Sequence, residues 1–375
     1  MTDSLPATRR LHDLGQSLWL DNISRDLLRD GTLRRLVDDA WVTGLTSNPT
    51  IFEKALGQGS AYDDDIAELA RAGHSVEDVF FALAISDLRE AARLFEPVHR
   101  RTGGVDGWVS LELSPLLVDD TAGSIRAAAS LHAQAACENL FVKIPGTPAG
   151  IPAIEASIYE GVPINVTLLF SREQCLAAHE AYLRGIERRI LAGRSPVVES
   201  VASLFVSRWD AAVHDKVPPA LRNRLGIAIA MRTYQAWRAS LETPRWQRLA
   251  DAGAHPQRLL WASTGTKDPA ADPILYARAL AAPGTIDTLP DKTLAALAGS
   301  GHIGAPMPVD GGNAEDVLAE FRRAGVDDEA LATRLQREGG ESFKKAWHAL
   351  LESLRAKMER LAALSEARQR QPADH

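Results

Sequence analysis

Eight short apolar runs, each ending in polar or turn-forming residues and alternating with helical patterns, constrain this chain more than any other feature of its sequence. They fall at 17–21, 44–49, 108–115, 140–146, 162–170, 201–207, 258–263 and 284–290. Strand alternating with helix predicts parallel strands joined by helical crossovers. Eight such units predict a closed (β/α)8 barrel of the TIM-barrel class, an α/β fold, with additional helices. An open doubly wound sheet is the competing architecture. It calls for a glycine-rich phosphate turn after an early strand, and none is present.

The 375 residues suit one such domain carrying a helical insertion at about 50–104 and a helical tail at about 313–370. No internal repeat, low-complexity block or linker marks a second domain. Local signals agree. Ser24 is placed to cap a helix that runs past Gly31 to about Ala40, and Ser171 with Gln174 forms a capping box. Further helix is expected over 219–243, and the final residues, RQRQPADH, read as frayed.

A formal charge of −7 argues against a general nucleic-acid binder but leaves room for a local basic site for a small anion. Cys137 and Cys175 cannot form a disulfide framework; both fall in helical patterns without metal-ligand spacing and read as buried thiols. The first fifteen residues lack the apolar core of a signal peptide, and no run approaches a membrane span. A cytoplasmic location is expected.

The fourth strand holds the oddest residue. Lys143 sits between Val142 and Ile144, and Pro145-Gly146 stops the strand just afterwards. Lysine is almost never fully buried without a reason. It could simply snorkel out of the strand end. At the C-terminal end of a barrel strand, where barrel enzymes keep their chemistry, desolvation instead favours a nucleophilic amine. Phe141 shares its face by the two-residue period, so both point inward or neither does.

Other strand exits carry chemistry too. The first ends in Asp21 and the second in Asn48; the third carries Glu112 near its end. The fifth offers Asn165 and Thr167, the sixth Ser203 and then Arg208, and the seventh runs into Ser263 and Lys267. Each has a bland explanation: Asp21 a helix cap, Asn48 a turn, Asn165 and Thr167 satisfied barrel polars, Arg208 a surface partner of Asp210 or Glu199. Their coincidence on one end of successive strands outweighs these. The set suits a lysine that forms a Schiff base with a ketone, with Asp21 and Glu112 as proton carriers and Thr167 holding a relay water. Arg208, Ser203 and Lys267 suit a phosphate clamp. The ten histidines are scattered, which disfavours a metal-dependent aldolase or hydrolase, and no Gly-x-Ser-x-Gly elbow occurs.

Taken together, the stretches LWLDNISRDLL, GLTSNPTIF, VSLELSP, FVKIPGT, INVTLLFS and SLFVSRWD resemble transaldolases, in the family's order and across about 17–290, most closely the longer bacterial type. The resemblance implies Lys143 as the Schiff-base lysine, Asp21 as the acid/base for carbon–carbon cleavage, and Glu112 and Thr167 as handlers of the catalytic water. It implies Asn48 and Asn165 as substrate-positioning residues, Ser203 and Arg208 as phosphate ligands, and Phe205 as a lining residue. Many relatives have an arginine after the seventh strand. Here WASTGTKDP offers Ser263 and Lys267, and a lysine binds phosphate as a point charge rather than a fork. The implied activity is transfer of a dihydroxyacetone unit from a ketose phosphate to an aldose phosphate in the non-oxidative pentose phosphate pathway, with no metal or organic cofactor. The alternative is a fructose-6-phosphate aldolase that releases free dihydroxyacetone. Sugar phosphates are the expected partners, with no nucleic acid and no membrane, for a monomer or homodimer.

Overall fold

The computed structural model describes residues 5–57 and 59–370. Eight parallel strands close into a barrel in sequence order: β1 (Ser17–Asp21), β2 (Val42–Thr46), β3 (Val109–Glu112), β4 (Leu140–Pro145), β5 (Ile164–Leu169), β6 (Ser200–Phe205), β7 (Arg258–Ala262) and β8 (Ile286–Leu289). Every strand except the exit of β1 is buried throughout, as expected of parallel strands covered by helices. β1 pairs with β8, which closes the ring.

Large side chains fill the barrel towards the N-terminal ends of its strands. Trp19 and Phe141, three strands apart, meet across the interior with ring centroids 6.1 Å apart, and Trp108 stacks on Phe141 at 4.1 Å. Phe141 therefore points inward, and by the two-residue period so does Lys143. Truncating Phe141 to alanine would cost about 3–5 kcal/mol in cavity and transfer terms. Gly44 makes room for this packing. A Cβ there would lie 2.7 Å from the Trp19 indole and from Trp108 O, so no other residue fits. Buried Arg258 plugs the N-terminal end, donating to Ser17 Oγ and to the carbonyls of Val105, Gly284 and Thr285.

Helices wrap the ring. Three lie between β2 and β3: Pro49–Gly57, Asp63–Arg71 and Val76–Arg101. The last packs on β2 and β3 as the crossover helix, while the first two pack against the C-terminal helix Asp328–Arg370. Ser24 caps its helix by accepting from Leu27 N, and the Ser171–Gln174 capping box is complete.

Several boundaries differ from the sequence expectations. The helix expected to pass through Gly31 is two, Arg25–Arg29 and Thr32–Asp39, because Gly31 takes φ +76° and turns the chain. Asn48 lies beyond β2 and starts the next helix, its Oδ1 accepting from Ile51 N at 3.1 Å. The region 219–243 opens with a single 3-10 turn, Pro219–Leu221, before helix Leu225–Leu241. Helices Ala7–Leu14 and Pro244–Asp251 are additional to the sequence reading. The tail is two helices, Ala314–Arg323 and Asp328–Arg370, separated at Gly325 with φ +86°. Cys137 follows the end of helix Thr121–Ala135 and is half-buried, whereas Cys175 is buried. Of the stretch expected to fray, residues 368–370 are helical and 371–375 lie outside the described residues.

Candidate active site

The strand register sets the site's floor. Glu112 is aligned with Lys143, and Lys143 with Asn165, so three polar residues on adjacent strands stand at one level of the barrel. Lys143 is 6% exposed; its Nζ donates to Glu112 Oε2 at 3.0 Å and to Ser47 O at 3.0 Å. Asn165 is fully buried. Its Nδ2 donates to Ser110 Oγ at 3.2 Å, and its Oδ1 accepts from Ser203 Oγ at 2.6 Å. These bonds tie β3 to β5 and β5 to β6 beneath the cavity.

Asp21 stands on the other side of the mouth, aligned with Thr46 of β2. Thr46 Oγ1 donates to Asp21 Oδ1 at 3.0 Å and sits 2.7 Å from Thr288 Oγ1 on β8. A hydroxyl chain thus fixes the carboxylate's orientation. Burial pushes the Asp21 carboxyl above the usual carboxylate range, and the positive charge of Lys143 partly opposes it. Glu112 is raised for the same reason, again against Lys143. Two carboxyls with a raised proton affinity flank one amine.

β5 is irregular beside the cavity. The β5–β6 register shifts between Val166 and Leu169, and Leu168 adopts φ +57°, a conformation that costs a non-glycine residue about 1–3 kcal/mol. Thr167 precedes this kink. Its hydroxyl is buried and has no hydrogen-bond partner among the described residues, although it borders the cavity.

The cavity is about 610 Å³ and opens over the C-terminal ends of the strands. Of the residues singled out from sequence, Asp21, Asn48, Lys143, Thr167, Ser203, Phe205, Arg208, Ser263 and Lys267 line it. Glu112 and Asn165 do not; they lie behind, and Glu112 instead borders a small cleft with Asn48. Ser263 takes φ +55° and shares a 3.0 Å contact between its hydroxyl and that of Ser207. Neither partner that the bland explanation offered Arg208 is used. Asp210 accepts from Leu225 N, Gly226 N and the Tyr276 hydroxyl, and Glu199 pairs with His255. Burial lowers the proton affinity of Arg208, and Glu112 raises it. The wall also includes Thr46, Thr288, Lys54, Asp291 and, from the C-terminal helix, Ser342 and Phe343, none of which the sequence reading singled out. Thr46 sat in the GLTSNP stretch already flagged; Phe343 lay in a tail read only for its helical period. Among the described residues, no three His, Cys, Asp or Glu side chains gather as a metal site.

A buried amine beside a carboxylate, a second carboxylate held by hydroxyls, and cationic groups at the later strands can together bind an anionic ketose and carry out amine-assisted carbon–carbon chemistry. Residues 18–354 match the family model described as Transaldolase/Fructose-6-phosphate aldolase. The chain is 44% identical over 357 residues to a transaldolase of Thiobacillus denitrificans, covering 92% of this chain and 98% of that protein. It is 42% identical to one from Thermobifida fusca, covering 92% and 96%, and 41% identical to one from Neisseria gonorrhoeae, covering 91% and 97%. A match over this length, on a barrel whose polar strand ends converge on Lys143, places the chain in the transaldolase/fructose-6-phosphate aldolase family.

Proposed function

We propose that the protein is a transaldolase working through a Schiff base on Lys143. It moves a dihydroxyacetone unit from sedoheptulose 7-phosphate or fructose 6-phosphate to glyceraldehyde 3-phosphate or erythrose 4-phosphate. The observation that carries this reading is the enclosed Lys143 amine at a strand end, 3.0 Å from Glu112.

In this reading Glu112 takes a proton from the lysine, freeing the amine to attack the C2 carbonyl. The carbinolamine loses water when Glu112 returns a proton to its hydroxyl through a water held at Thr167. Asp21 then takes the proton of the C4 hydroxyl. The C3–C4 bond breaks, its electrons enter the iminium to give an enamine, and the aldose phosphate leaves. The enamine carbon attacks the incoming aldehyde, Asp21 gives its proton to the new alkoxide, and hydrolysis restores the amine. Asn48 and Asn165 position the dihydroxyacetone unit, Asn165 from the layer beneath. Arg208, Lys267, Ser203 and Ser263 serve the phosphate end, and Phe205 walls it. The same reading takes residues 1–375 as one barrel domain of a cytoplasmic enzyme of sugar-phosphate metabolism.

Borohydride trapping with fructose 6-phosphate tests it. A covalent adduct on Lys143 is expected, and its absence in folded protein would overturn the mechanism. The family description also covers fructose-6-phosphate aldolases. Free dihydroxyacetone formed without an acceptor aldehyde would move the assignment to that activity; the relatives named above, called transaldolases, favour transfer.

A further inference from the structure

The interior arginines divide into two kinds. Arg25 pairs with Asp87 and Asp65, Arg232 with Glu315 and Asp328, and Arg258 donates to four oxygen atoms. Half-buried Arg208 makes no hydrogen bond or ion pair among the described residues. It is held by aromatic faces instead. Its Cζ lies 5.2 Å from the Phe205 ring centroid and 5.8 Å from that of Phe343. Phe205 ends β6, beside Arg208 in sequence. Phe343 comes from the C-terminal helix, is 7% exposed, and lines the cavity.

That helix is shaped to reach the guanidinium. Gln336 Nε2 donates to Gly146 O and Leu168 O, both at 3.0 Å, which ties the helix to the ends of β4 and β5. One turn on, Gly339-Gly340 lie in the unbroken interior of the helix, where glycine is unfavourable. A Cβ on Gly339 would stand 3.4 Å from Arg208 Nη1 and 3.0 Å from Leu168 Cδ2. Gln336, Gly339, Gly340 and Phe343 share one helical face by their three- and four-residue spacing.

We propose that Phe343 is a positioning residue for Arg208. It holds the guanidinium by its face and leaves the N–H donors free for a phosphate, so that the C-terminal helix sets the preference for phosphorylated ketoses. An aromatic face attracts a guanidinium without occupying its donors, whereas a carboxylate would compete with the ligand. The proposal rests on the reading of Arg208 as a phosphate ligand given above.

The test uses the full-length protein, with Phe343→Leu, Phe343→Tyr and Gly339→Ala. Binding of inorganic phosphate is measured by calorimetry, and borohydride trapping is titrated with fructose 6-phosphate and with unphosphorylated fructose. Phe343→Leu should weaken phosphate binding roughly tenfold and cut the preference for fructose 6-phosphate over fructose by a similar factor. Phe343→Tyr should restore both. Gly339→Ala, which favours helix yet presses on Leu168 at 3.0 Å and fills the space beside Arg208, should weaken phosphate binding as well. Unchanged phosphate affinity in folded Phe343→Leu, or equal losses with both ketoses, would overturn the proposal. A wild-type protein that binds phosphate in this Phe343-dependent way but traps no ketose would instead overturn the Schiff-base reading alone.

Discussion

Lys143 and Glu112 form an ion pair at 3.0 Å in which both side chains are less than a tenth exposed. Breaking a buried pair by removing one partner is costlier than removing both, because the survivor is left without its counterion. Lys143→Met should therefore lower unfolding free energy by about 3 kcal/mol at pH 8. Lys143→Met/Glu112→Gln should recover part of that loss. The single variant should also gain on the wild type as pH falls, since a protonated Glu112 needs no cation. Urea denaturation of the three proteins checks this; a double variant no more stable than the single would show that the orphaned Glu112 charge is not the source of the loss.

The Asp21 carboxyl depends on its hydroxyl chain. Its proton affinity is raised by burial, while the Thr46 hydrogen bond lowers it. If Asp21 acts as a base, the rate falls as pH drops through its pKa. Thr46→Val removes a bond that stabilises the charged form, so the acid limb of the kcat/KM profile should move to higher pH. Asp21→Ala should still trap ketose on Lys143 while turnover falls about 10²–10⁴-fold. An acid limb that stays in place in Thr46→Val would remove Asp21 as its source.

The barrel and the floor of its site were legible because both follow short-range rules. An apolar run ended by Asp21 or Lys143 can be read within a handful of residues, and register follows once eight strands must close. What escaped depends on contacts between distant segments. Arg25 and Asp87 look like ordinary surface charges in two helical patterns, yet they meet at 2.9 Å with Tyr62 completing the cluster. Phe343 is one apolar position among many in the tail until the helix is laid across β4 and β5. Gly31 reads as part of one helix because a single glycine is tolerated there unless its φ is positive, which composition does not show.

The same tail is anchored a second time by Lys357, which is 6% exposed. Its Nζ donates to Leu56 O at 3.0 Å and Gly59 O at 3.1 Å and lies 2.7 Å from Asp63 Oδ1. Lys357→Met keeps the aliphatic stem but leaves these oxygens without their cation. The expected loss is about 2–3 kcal/mol. Because the anchor holds the helix on Pro49–Gly57, amide exchange should quicken along residues 344–360 before the barrel strands respond. A variant as stable as wild type, with unchanged exchange there, would mean the anchor is dispensable.

Asp287 gives a stability prediction of opposite sign. It lies on β8 next to Thr288, so alternation turns it away from the cavity that Thr288 lines. It is fully buried, and neither carboxyl oxygen has a hydrogen-bond partner of normal geometry among the described residues, although the nearby Thr264 side chain offsets a small part of the burial. Burial pushes its pKa up to about 7, against an ordinary value of 3.8. Between those two values the folded protein holds a proton that the unfolded chain releases, so stability falls as pH rises through this window and stays low above it. Asp287→Asn carries no charge at any pH. Relative to wild type it should gain on the order of 2 kcal/mol between pH 5 and pH 8. Urea midpoints of both proteins at the two pH values check this, and a difference independent of pH would show that Asp287 does not take up the proton on folding.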